Sequence, residues 1–511
     1  MRIAAEAILD ALDPEQRAVA SALEGPVCVR AGTGKTRAMT HRIAYGVAVK
    51  AFDPRGVLAL TFTTRAAGEL RTRLRALGVH QVQARTFHSA ALRQAQFFWP
   101  RAYGNELPPV ADSIVALVAE AGRREGLAVD TTLLRDLAGE ISWAKVSNVA
   151  ASDYAEIAPG RRRQVAGRTP DEVARVLARY EQVKAARGVV DFDDILLCTA
   201  GLLAGNPEIA HEVRRQYRTF VVDEYQDVSP LQQALLDLWR GDGDQVCVVG
   251  DPAQTIHSFA GADPVFLTGF HERHPRATTI ELVRDYRSTP EVIALANTVL
   301  RGHGPGVELR PVRPSGPAPV FVQSYTEAED ASALVNWLKS VASKGVPFHE
   351  MAVLYRIHAM SPVFEAALAD AGIPFVTRGS EGFFERAEVR TALRALQVAT
   401  KAESDADGAL AQFRGILGGL GYTDTPPDGA GQARERWESW SALVSLAEEL
   451  VAERPELTLS DLSDALEARR QVQHAPQGQG VTLSTLHAAK GLEWDAVAIV
   501  GVCEGSLPFS L

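Results

Sequence analysis

Short apolar runs alternate with helical patterns in the first part of the chain. Residues 26–29 form an apolar run that leads through a glycine-rich turn into a helical pattern at 37–43. Residues 57–62 form a second apolar run before another turn and helix at 63–70, and residues 82–89 repeat the pattern weakly. Strands that alternate with helices predict a parallel sheet whose loops gather at the carboxyl ends of its strands.

The pattern changes twice further along the chain. Residues from about 90 to 186 have helical periodicity, which predicts a helical insertion. A glycine- and proline-rich stretch at 302–319 predicts a boundary loop. A second α/β unit follows, with a helical segment at about 390–477. The later predicted strands are 220–222, 246–249, 280–282, 320–322, 351–355, 481–484 and 496–500.

Composition adds few constraints. A chain of 511 residues with 46% hydrophobic and 23% charged residues predicts about three or four soluble domains. The net charge of −10 does not indicate a nucleic-acid partner, so any DNA contact must come from local basic and aromatic surfaces. Four scattered cysteines without a Cys-x-x-Cys pattern predict buried reduced thiols. No signal peptide or membrane-spanning run is visible, which favours the cytoplasm. The basic triplet at 161–163 is interpreted as a solvated loop.

The glycine-rich turn has the composition of a phosphate-binding loop. Gly32 and Gly34 allow backbone N–H groups to surround a phosphate, and the following helix directs its N-terminus at it. Lys35 would reach the outer phosphates and the Thr36 hydroxyl would ligate Mg²⁺. The alternative is a glycine-rich turn that happens to end in lysine. The full pattern also requires a glycine where Val29 stands.

An acidic pair follows the predicted strand at 220–222. Asp223 would hold the cation of a nucleotide complex, and Glu224 would position or deprotonate the attacking water. Alone, such a pair is more often a capped turn; the upstream phosphate loop favours the catalytic interpretation. Gln254 would contact the γ-phosphate or the water, and Arg287 would supply positive charge to the transition state.

Taken in order, these segments resemble a superfamily 1 DNA helicase of the UvrD/Rep/PcrA type, in its actinobacterial UvrD-like branch. Each motif is weak alone, and nine in the same order are specific. The motifs lie at residues 12–17, 31–36, 60–63, 86–89, 191–194, 222–227, 249–256, 285–288 and 485–493.

The resemblance implies two RecA-like P-loop NTPase domains with parallel sheets, each carrying a mainly helical insertion. The first domain would comprise 1–89 and 187–281 with its insertion at 90–186. The second would comprise 282–389 and 478–511 with a reduced insertion at 390–477. The implied activity is ATP-dependent 3′-to-5′ translocation along single-stranded DNA, or DNA unwinding, in repair or replication. ATP and Mg²⁺ are the implied cofactors. DNA single strands and junctions, and repair proteins, are the implied partners of a monomer or weak oligomer.

The resemblance also assigns residues to two surfaces. Gln16 and Tyr286 would bind adenine, and Glu493 would contact the ribose or the nucleotide edge. The implied nucleotide set is Gln16, Ala31, Gly32, Thr33, Gly34, Lys35, Thr36, Arg37, Tyr286, Arg287, Gly491 and Glu493. Non-specific strand binding needs aromatic platforms and phosphate contacts, although each phenylalanine alone is more often a core residue. The implied DNA set is Thr61, Phe62, Thr63, Thr86, His88, Phe192, His257, Phe259, Tyr355, Arg356 and His487.

Departures from the family pattern leave an alternative open. Val29 and Arg30 stand where Ala-Gly is expected, or two residues are missing before Ala31, so we expect weakened ATP binding. The last helicase motif would lie beyond Leu511, which indicates a truncated product. The alternative function is therefore a nucleotide- and DNA-binding fragment without turnover. A nuclease–helicase subunit is less favoured, because no nuclease-like cluster of carboxylates and lysine is visible.

Overall fold

The structure is a computed structural model that divides into two compact units, Met1–Pro319 and Val320–Leu511. The division lies at the end of the predicted boundary loop, whereas the sequence places the start of the second domain at residue 282. The described residues are 5–165, 167–301, 306–357, 360–378, 387–400, 408–423, 425, 432–454, 456–471 and 480–507.

A parallel sheet of six strands organises the first unit. Its strands are β1 (Val27–Ala31), β2 (Val57–Thr61), β3 (Gln83–Thr86), β4 (Thr219–Val222), β5 (Val246–Gly250) and β6 (Thr278–Leu282). Their order is β3-β2-β4-β5-β1-β6, and every neighbouring pair is parallel. Helices cover both faces, so the strands are nearly continuous apolar runs, as is typical of parallel sheets. Cys28 and Leu58 belong to the core on one face, and Val29 and Ala59 to the core on the other.

Ten described helices of the first unit contribute buried residues to the cores on the two faces of this sheet, and an eleventh, Pro290–Leu300, packs on a smaller sheet. They are α1 (Ala5–Asp10), α2 (Pro14–Ser21), α3 (Lys35–Ala48), α4 (Thr64–Ala76), α5 (Phe87–Tyr103), α10 (Asp194–Gly205), α11 (Pro207–Gln216), α12 (Pro230–Arg240), α13 (Val265–Thr268), α14 (Phe270–Arg273) and α15 (Pro290–Leu300). Asp13 caps α2, and Pro14 is the first residue of that helix. A small two-stranded parallel sheet joins β7 (Arg284–Asp285) to β8 (Arg310–Pro311).

The helical insertion of the first unit has its own core. Its helices are α6 (Ile114–Arg124), α7 (Thr131–Val146), α8 (Tyr154–Gly160) and α9 (Pro170–Arg187). Leu117, Ile141, Tyr154 and Tyr180 are among the buried residues that they share. Helix α5 packs instead in the core against β2 and β4, so the independent core of the insertion begins at α6 and not near residue 90.

The second unit contains a parallel sheet of four strands, in the order β10-β11-β9-β12. Its strands are β9 (Met351–Tyr355), β10 (Phe375–Arg378), β11 (Val481–Thr485) and β12 (Ala496–Ile499), and its helices are α16 (Glu327–Ser343), α17 (Ser361–Asp370), α18 (Ala387–Ala399), α19 (Ala409–Gly419), α20 (Gln432–Glu453) and α21 (Leu459–Gln471). Helices α18–α21 form a separate helical core, in agreement with the helical pattern.

One predicted strand of the second unit is absent. Residues 320–322 have no strand pairing, and the side chain of Phe321 is 81% exposed. An apolar run becomes a strand only where a neighbouring strand offers hydrogen-bond partners, and no described strand pairs with it. None of the described helices combines the length and the apolar character needed to cross a bilayer.

Candidate functional site

The predicted phosphate loop is a very short turn. Strand β1 stays in register with its neighbours through Arg30, which is paired with Gly250 and Glu281. The strand ends at Ala31 and α3 begins at Lys35, so only Gly32, Thr33 and Gly34 lie between them. Gly34 has φ +77°, a left-handed conformation that favours glycine. The loop is therefore shortened, and Val29 and Arg30 are strand residues and not altered loop residues.

Arg30 is held inside the sheet layer. Its Nη2 lies 3.5 Å from the carbonyl oxygen of Thr268 on α13. Its Nε is buried without a hydrogen-bond partner among the described residues. A buried donor without a partner costs about 1–3 kcal/mol, so this arginine is an unfavourable element of the strand.

Lys35 forms a buried ion pair at the start of α3. Its Nζ lies 2.8 Å from Oε1 of Glu224, and the residue is 9% exposed. Burial alone would lower the pKa of Lys35, but the carboxylates of Glu224 and Asp223 raise it above its ordinary value. The lysine is therefore a charged group held directly beside the phosphate loop.

The acidic pair lies where β4 ends, as the sequence predicts. Asp223 is buried, and burial together with the nearby Glu224 carboxylate raises its pKa to about 6. The backbone N–H of Glu224 donates to Oδ1 of Asp223 at 2.9 Å. Glu224 has φ +50°, which is uncommon for a residue other than glycine and fixes the direction of its side chain.

A glutamine links the acidic pair to the turn after β5. The side-chain amide of Gln226 donates to Oε2 of Glu224 at 2.5 Å, and its oxygen accepts from the backbone N–H of Asp251 at 3.0 Å. Gln254 donates to Oδ2 of Asp251 at 2.7 Å, and its amide nitrogen also lies 3.5 Å from the carbonyl oxygen of Gly32. Lys35, Glu224 and Gln254 are thus joined in one polar cluster, the site cluster, with Gln226 and Asp251 between them.

The remaining predicted nucleotide residues of the first unit surround the short loop. The amide of Gln16 lies against Gly34, where an added Cβ would come within 2.8 Å of its Nε2. The Tyr286 hydroxyl donates to Asp13 at 2.8 Å, and Arg37 donates to the carbonyl oxygen of Ala11 at 2.5 Å.

Three further contacts lie around the short loop. The Thr33 hydroxyl donates to the carbonyl oxygen of Arg284 at 3.0 Å, and Thr36 lies in the first turn of α3. The backbone N–H of Arg287 donates to Asp285 at 2.8 Å. Leu309 packs on Gly32, where an added Cβ would lie 2.7 Å from its Cδ2.

Two phenylalanines of the predicted DNA set are exposed platforms. Phe192 is 60% exposed and stacks on His88, with ring centroids 4.0 Å apart and planes 15° apart. Burial lowers the pKa of His88 to about 4, so the stacked imidazole is neutral at physiological pH. Phe259 is 59% exposed, and the His257 ring lies 6.1 Å from it.

Other members of that set have different surroundings. Thr61 is buried and donates to the carbonyl oxygen of Thr63 at 3.1 Å, so its side chain is not available to DNA in this conformation. Phe62 is half-buried against the core. Thr63 and Thr86 cap α4 and α5, and each hydroxyl accepts a backbone N–H at 3.1 Å.

Comparison with known proteins identifies the family. A sequence model described as the UvrD/REP helicase N-terminal domain matches residues 12–275, and one described as the UvrD-like helicase C-terminal domain matches 280–407 and 411–511. The chain belongs to the UvrD/Rep helicase family. Its two parallel sheets agree with the two RecA-like domains of such a helicase.

Two kinds of curated relatives match most or all of this chain. The protein named ATP-dependent DNA helicase UvrD2 is 46% identical over 532 aligned positions in Mycobacterium tuberculosis strain H37Rv and equally in Mycobacterium bovis. Those alignments span all of this chain and 75% of each relative. ATP-dependent DNA helicase PcrA of Staphylococcus aureus is 28% identical over 411 positions, 78% of this chain and 55% of that protein.

In this UvrD/Rep-type chain, the second unit carries five of the predicted residues. Tyr355 is fully buried at the end of β9, so it is not accessible to DNA in this conformation. Arg356 and His487 lie together, with Nη1 and Nδ1 3.5 Å apart. Gly491, at φ +78°, and Glu493 are exposed in the turn between β11 and β12.

Two residues of the site cluster have no predicted role, although they belong to the sequence motifs of this UvrD/Rep-type chain. Gln226 and Asp251 both lie inside motifs that the sequence identifies, at 222–227 and 249–256. Both are also buried polar residues close to the ends of apolar strands: Asp251 directly follows β5, and Gln226 lies in the turn after β4. That placement is the signal that could have identified them, because a buried polar side chain at a strand end needs a hydrogen-bond partner nearby.

Proposed function

We propose that this chain is an ATP-dependent translocase and helicase that moves 3′ to 5′ along single-stranded DNA in repair or replication. The observation that carries the proposal is the site cluster, which joins lysine, carboxylate and glutamine at the carboxyl edge of one parallel sheet. Ligands of open α/β sheets bind at this edge. The family, and the names of the mycobacterial and staphylococcal relatives, support the activity; the direction of movement rests on the family resemblance.

The residues present fit a nucleotide with Mg²⁺. A Cβ at Gly32 would meet Leu309 and one at Gly34 would meet Gln16, so only glycine fits these two positions of the tight turn before Lys35. Asp223 has a raised pKa because it is desolvated beside another carboxylate, and a cation would relieve that cost. Thr36 and Asp223 would hold Mg²⁺, which when bound withdraws charge from the phosphates. Gln16 and Tyr286 would contact the base, with Ala31, Thr33, Arg37, Gly491 and Glu493 completing the nucleotide contacts.

The ion pair of Lys35 with Glu224 indicates how the two residues act in turn. A phosphate would attract Lys35 away from Glu224, because it carries more negative charge than one carboxylate. Glu224 would then accept the proton of the attacking water while Gln226 holds its other oxygen. Gln254 would orient that water and Arg287 would stabilise the charge of the transferred phosphoryl group.

The exposed platforms provide sequence-independent strand binding. Phe192 and Phe259 would stack on bases, and the half-buried Phe62 would be a further contact. Thr63, Thr86, His88, His257, Arg356 and His487 would contact the sugar-phosphate chain. Stacking does not depend on base identity, because every base has a π-face.

The test compares ATP hydrolysis and strand separation in the unaltered chain and in Glu224→Gln. We expect hydrolysis stimulated by single-stranded DNA, unwinding of duplexes with 3′ tails and not 5′ tails, and a loss of about 10²–10⁴-fold in Glu224→Gln. ATP-analogue and DNA binding without stimulated hydrolysis would favour the alternative, a binding module without turnover. The short phosphate loop is the observation behind that alternative.

A further inference from the structure

The exposed platform Phe259 is attached to the helical insertion. Its backbone carbonyl oxygen accepts a hydrogen bond from Nη1 of Arg163 at 3.0 Å. Arg163 lies between α8 and α9, in the triplet that the sequence suggests is a solvated loop. Its side chain is only 19% exposed, so this arginine is a structural link and not a solvated charge.

Arg163 is itself fixed by two neighbours from the insertion, Glu140 and Trp143. Its Nη2 lies 2.5 Å from Oε1 of the buried Glu140, and its guanidinium lies 4.9 Å from the ring centre of Trp143. Glu140 also accepts from the Tyr154 hydroxyl at 2.7 Å. Since a planar guanidinium can donate in two directions at once, Arg163 donates hydrogen bonds to Glu140 and to the Phe259 carbonyl at the same time.

The turn that carries Phe259 also packs directly on the insertion. Gly261 has φ +92°, and a Cβ added there would lie 2.5 Å from Cγ2 of Val146, the last residue of α7. Only glycine therefore fits this position. Arg163 therefore holds this turn at the carbonyl group of Phe259, and the contact with Val146 holds it at Gly261, two residues later.

The other platform is supported in a similar way. Lys184 on α9 and Lys145 on α7 both form buried ion pairs with Asp191, which directly precedes Phe192, and with Asp194, two residues after it. Tyr180 of α9 donates to Asp191 at 2.8 Å. Phe192 and Phe259 are thus both held by cations of the helical insertion.

We propose that Arg163 is a positioning residue, through which the helical insertion holds Phe259 in the orientation that stacks on a DNA base. The proposal deepens the proposed function and rests on the DNA role of Phe259. Arg163 does not contact the nucleotide cluster described above. Its loss should therefore change the DNA dependence of hydrolysis and leave hydrolysis without DNA unchanged.

The experiment measures the concentration of an oligothymidine that gives half-maximal ATPase stimulation. It also measures the fluorescence of a strand with one 2-aminopurine, which is quenched by stacking. Arg163→Met should raise the half-maximal concentration about fivefold or more and reduce the quenching. Basal hydrolysis and the maximal stimulated rate should stay within about twofold, because chemistry is not affected.

The matched control is Arg179→Met. Arg179 pairs with Glu125 at 2.7 Å inside the same insertion and has no contact with Phe259 among the described residues. It should leave both DNA readouts unchanged. Phe259→Ala should weaken DNA binding as Arg163→Met does, and the double variant should be no weaker than Phe259→Ala alone, because the arginine acts through the ring.

The outcomes separate the two proposals. If Phe259→Ala weakens stimulation and Arg163→Met does not, or if the two losses add in the double variant, the positioning role is overturned while the platform stands. If Phe259→Ala has no effect, the DNA role of the platform itself is wrong. If Arg163→Met does not fold, Arg163→Lys replaces it. The lysine ammonium keeps a positive charge beside Glu140 but cannot also donate to the Phe259 carbonyl. DNA binding equal to that of the unaltered chain would then overturn the proposal.

Discussion

Asp223 is a buried carboxyl group whose proton is held more tightly in the folded chain than in the unfolded one. Its pKa is about 6, against an ordinary value of 3.8, because it is desolvated and lies beside Glu224. When the folded state binds more protons, stability falls as pH rises between the two pKa values. The ionised Asp223 therefore lowers the stability of the nucleotide-free protein above about pH 6.

Replacing Asp223 with asparagine should remove this cost. In the absence of nucleotide, we expect Asp223→Asn to melt about 2 °C or more above the unaltered protein at pH 7.5. The difference should shrink as pH falls towards 4, where Asp223 takes up its proton. Differential scanning calorimetry across this pH range checks the prediction.

A second variant provides the contrast. Glu224→Gln removes the partner of the buried Lys35 and should melt lower than the unaltered protein. An Asp223→Asn variant that melts lower at pH 7.5, or a difference independent of pH, would contradict the electrostatic explanation.

At the scale of elements, the junction of β1 with α3 decides how many N–H groups can face a phosphate. Three residues, Gly32–Gly34, separate the strand from the helix. A longer loop would add N–H donors to the phosphate, and a hydrogen bond to a charged group contributes about 1.5–3 kcal/mol. The strand instead extends through Arg30 and Ala31, in register with β6.

Inserting Ala-Gly between Arg30 and Ala31 should therefore tighten ATP binding about tenfold or more, which isothermal titration calorimetry can measure. The control is Arg30→Ala, which removes the unpartnered Nε without lengthening the loop and should leave ATP affinity unchanged. Equal affinities in the inserted and unaltered chains would show that loop length does not limit binding.

Several elements and residues follow from the sequence, and others depend on neighbours that no local pattern reveals. The strand, turn and helix around Lys35, and the acidic pair after β4, are visible as apolar runs with polar residues at their ends. Residues 320–322 read as a strand but have no strand pairing, because a strand needs a neighbour. Tyr355 is buried in the fold, and Arg163 binds Glu140, which lies 23 residues earlier in the chain. Neither arrangement is visible in the residues next to Tyr355 or Arg163 in the sequence.

At the scale of the whole molecule, the net charge of −10 opposes a polyanionic partner. Binding to DNA must then depend on local phosphate contacts, which weaken with salt, and on aromatic stacking, which does not release counterions. The two contributions can be separated by ionic strength, because they belong to different residues.

We expect Phe192→Ala to weaken oligothymidine binding by about 1–3 kcal/mol with an unchanged slope of log affinity against log salt. Arg356→Gln should instead reduce that slope by about 0.7, the contribution of one phosphate contact on a single strand. Fluorescence anisotropy at several salt concentrations measures both quantities. A change of slope in Phe192→Ala would contradict the assignment of this ring as a stacking platform.

The caps of α4 and α5 have a consequence for how DNA contacts can be detected. Thr63 and Thr86 are the N-caps of α4 and α5, which follow the adjacent parallel strands β2 and β3, so the first amide groups of both helices lie at one edge of the sheet. Helix N-termini bind phosphates through main-chain N–H groups, which every residue except proline supplies. Side-chain substitution leaves such a contact in place, so alanine scanning would not detect it. An ester in place of the amide, introduced by semisynthesis, removes the donor itself.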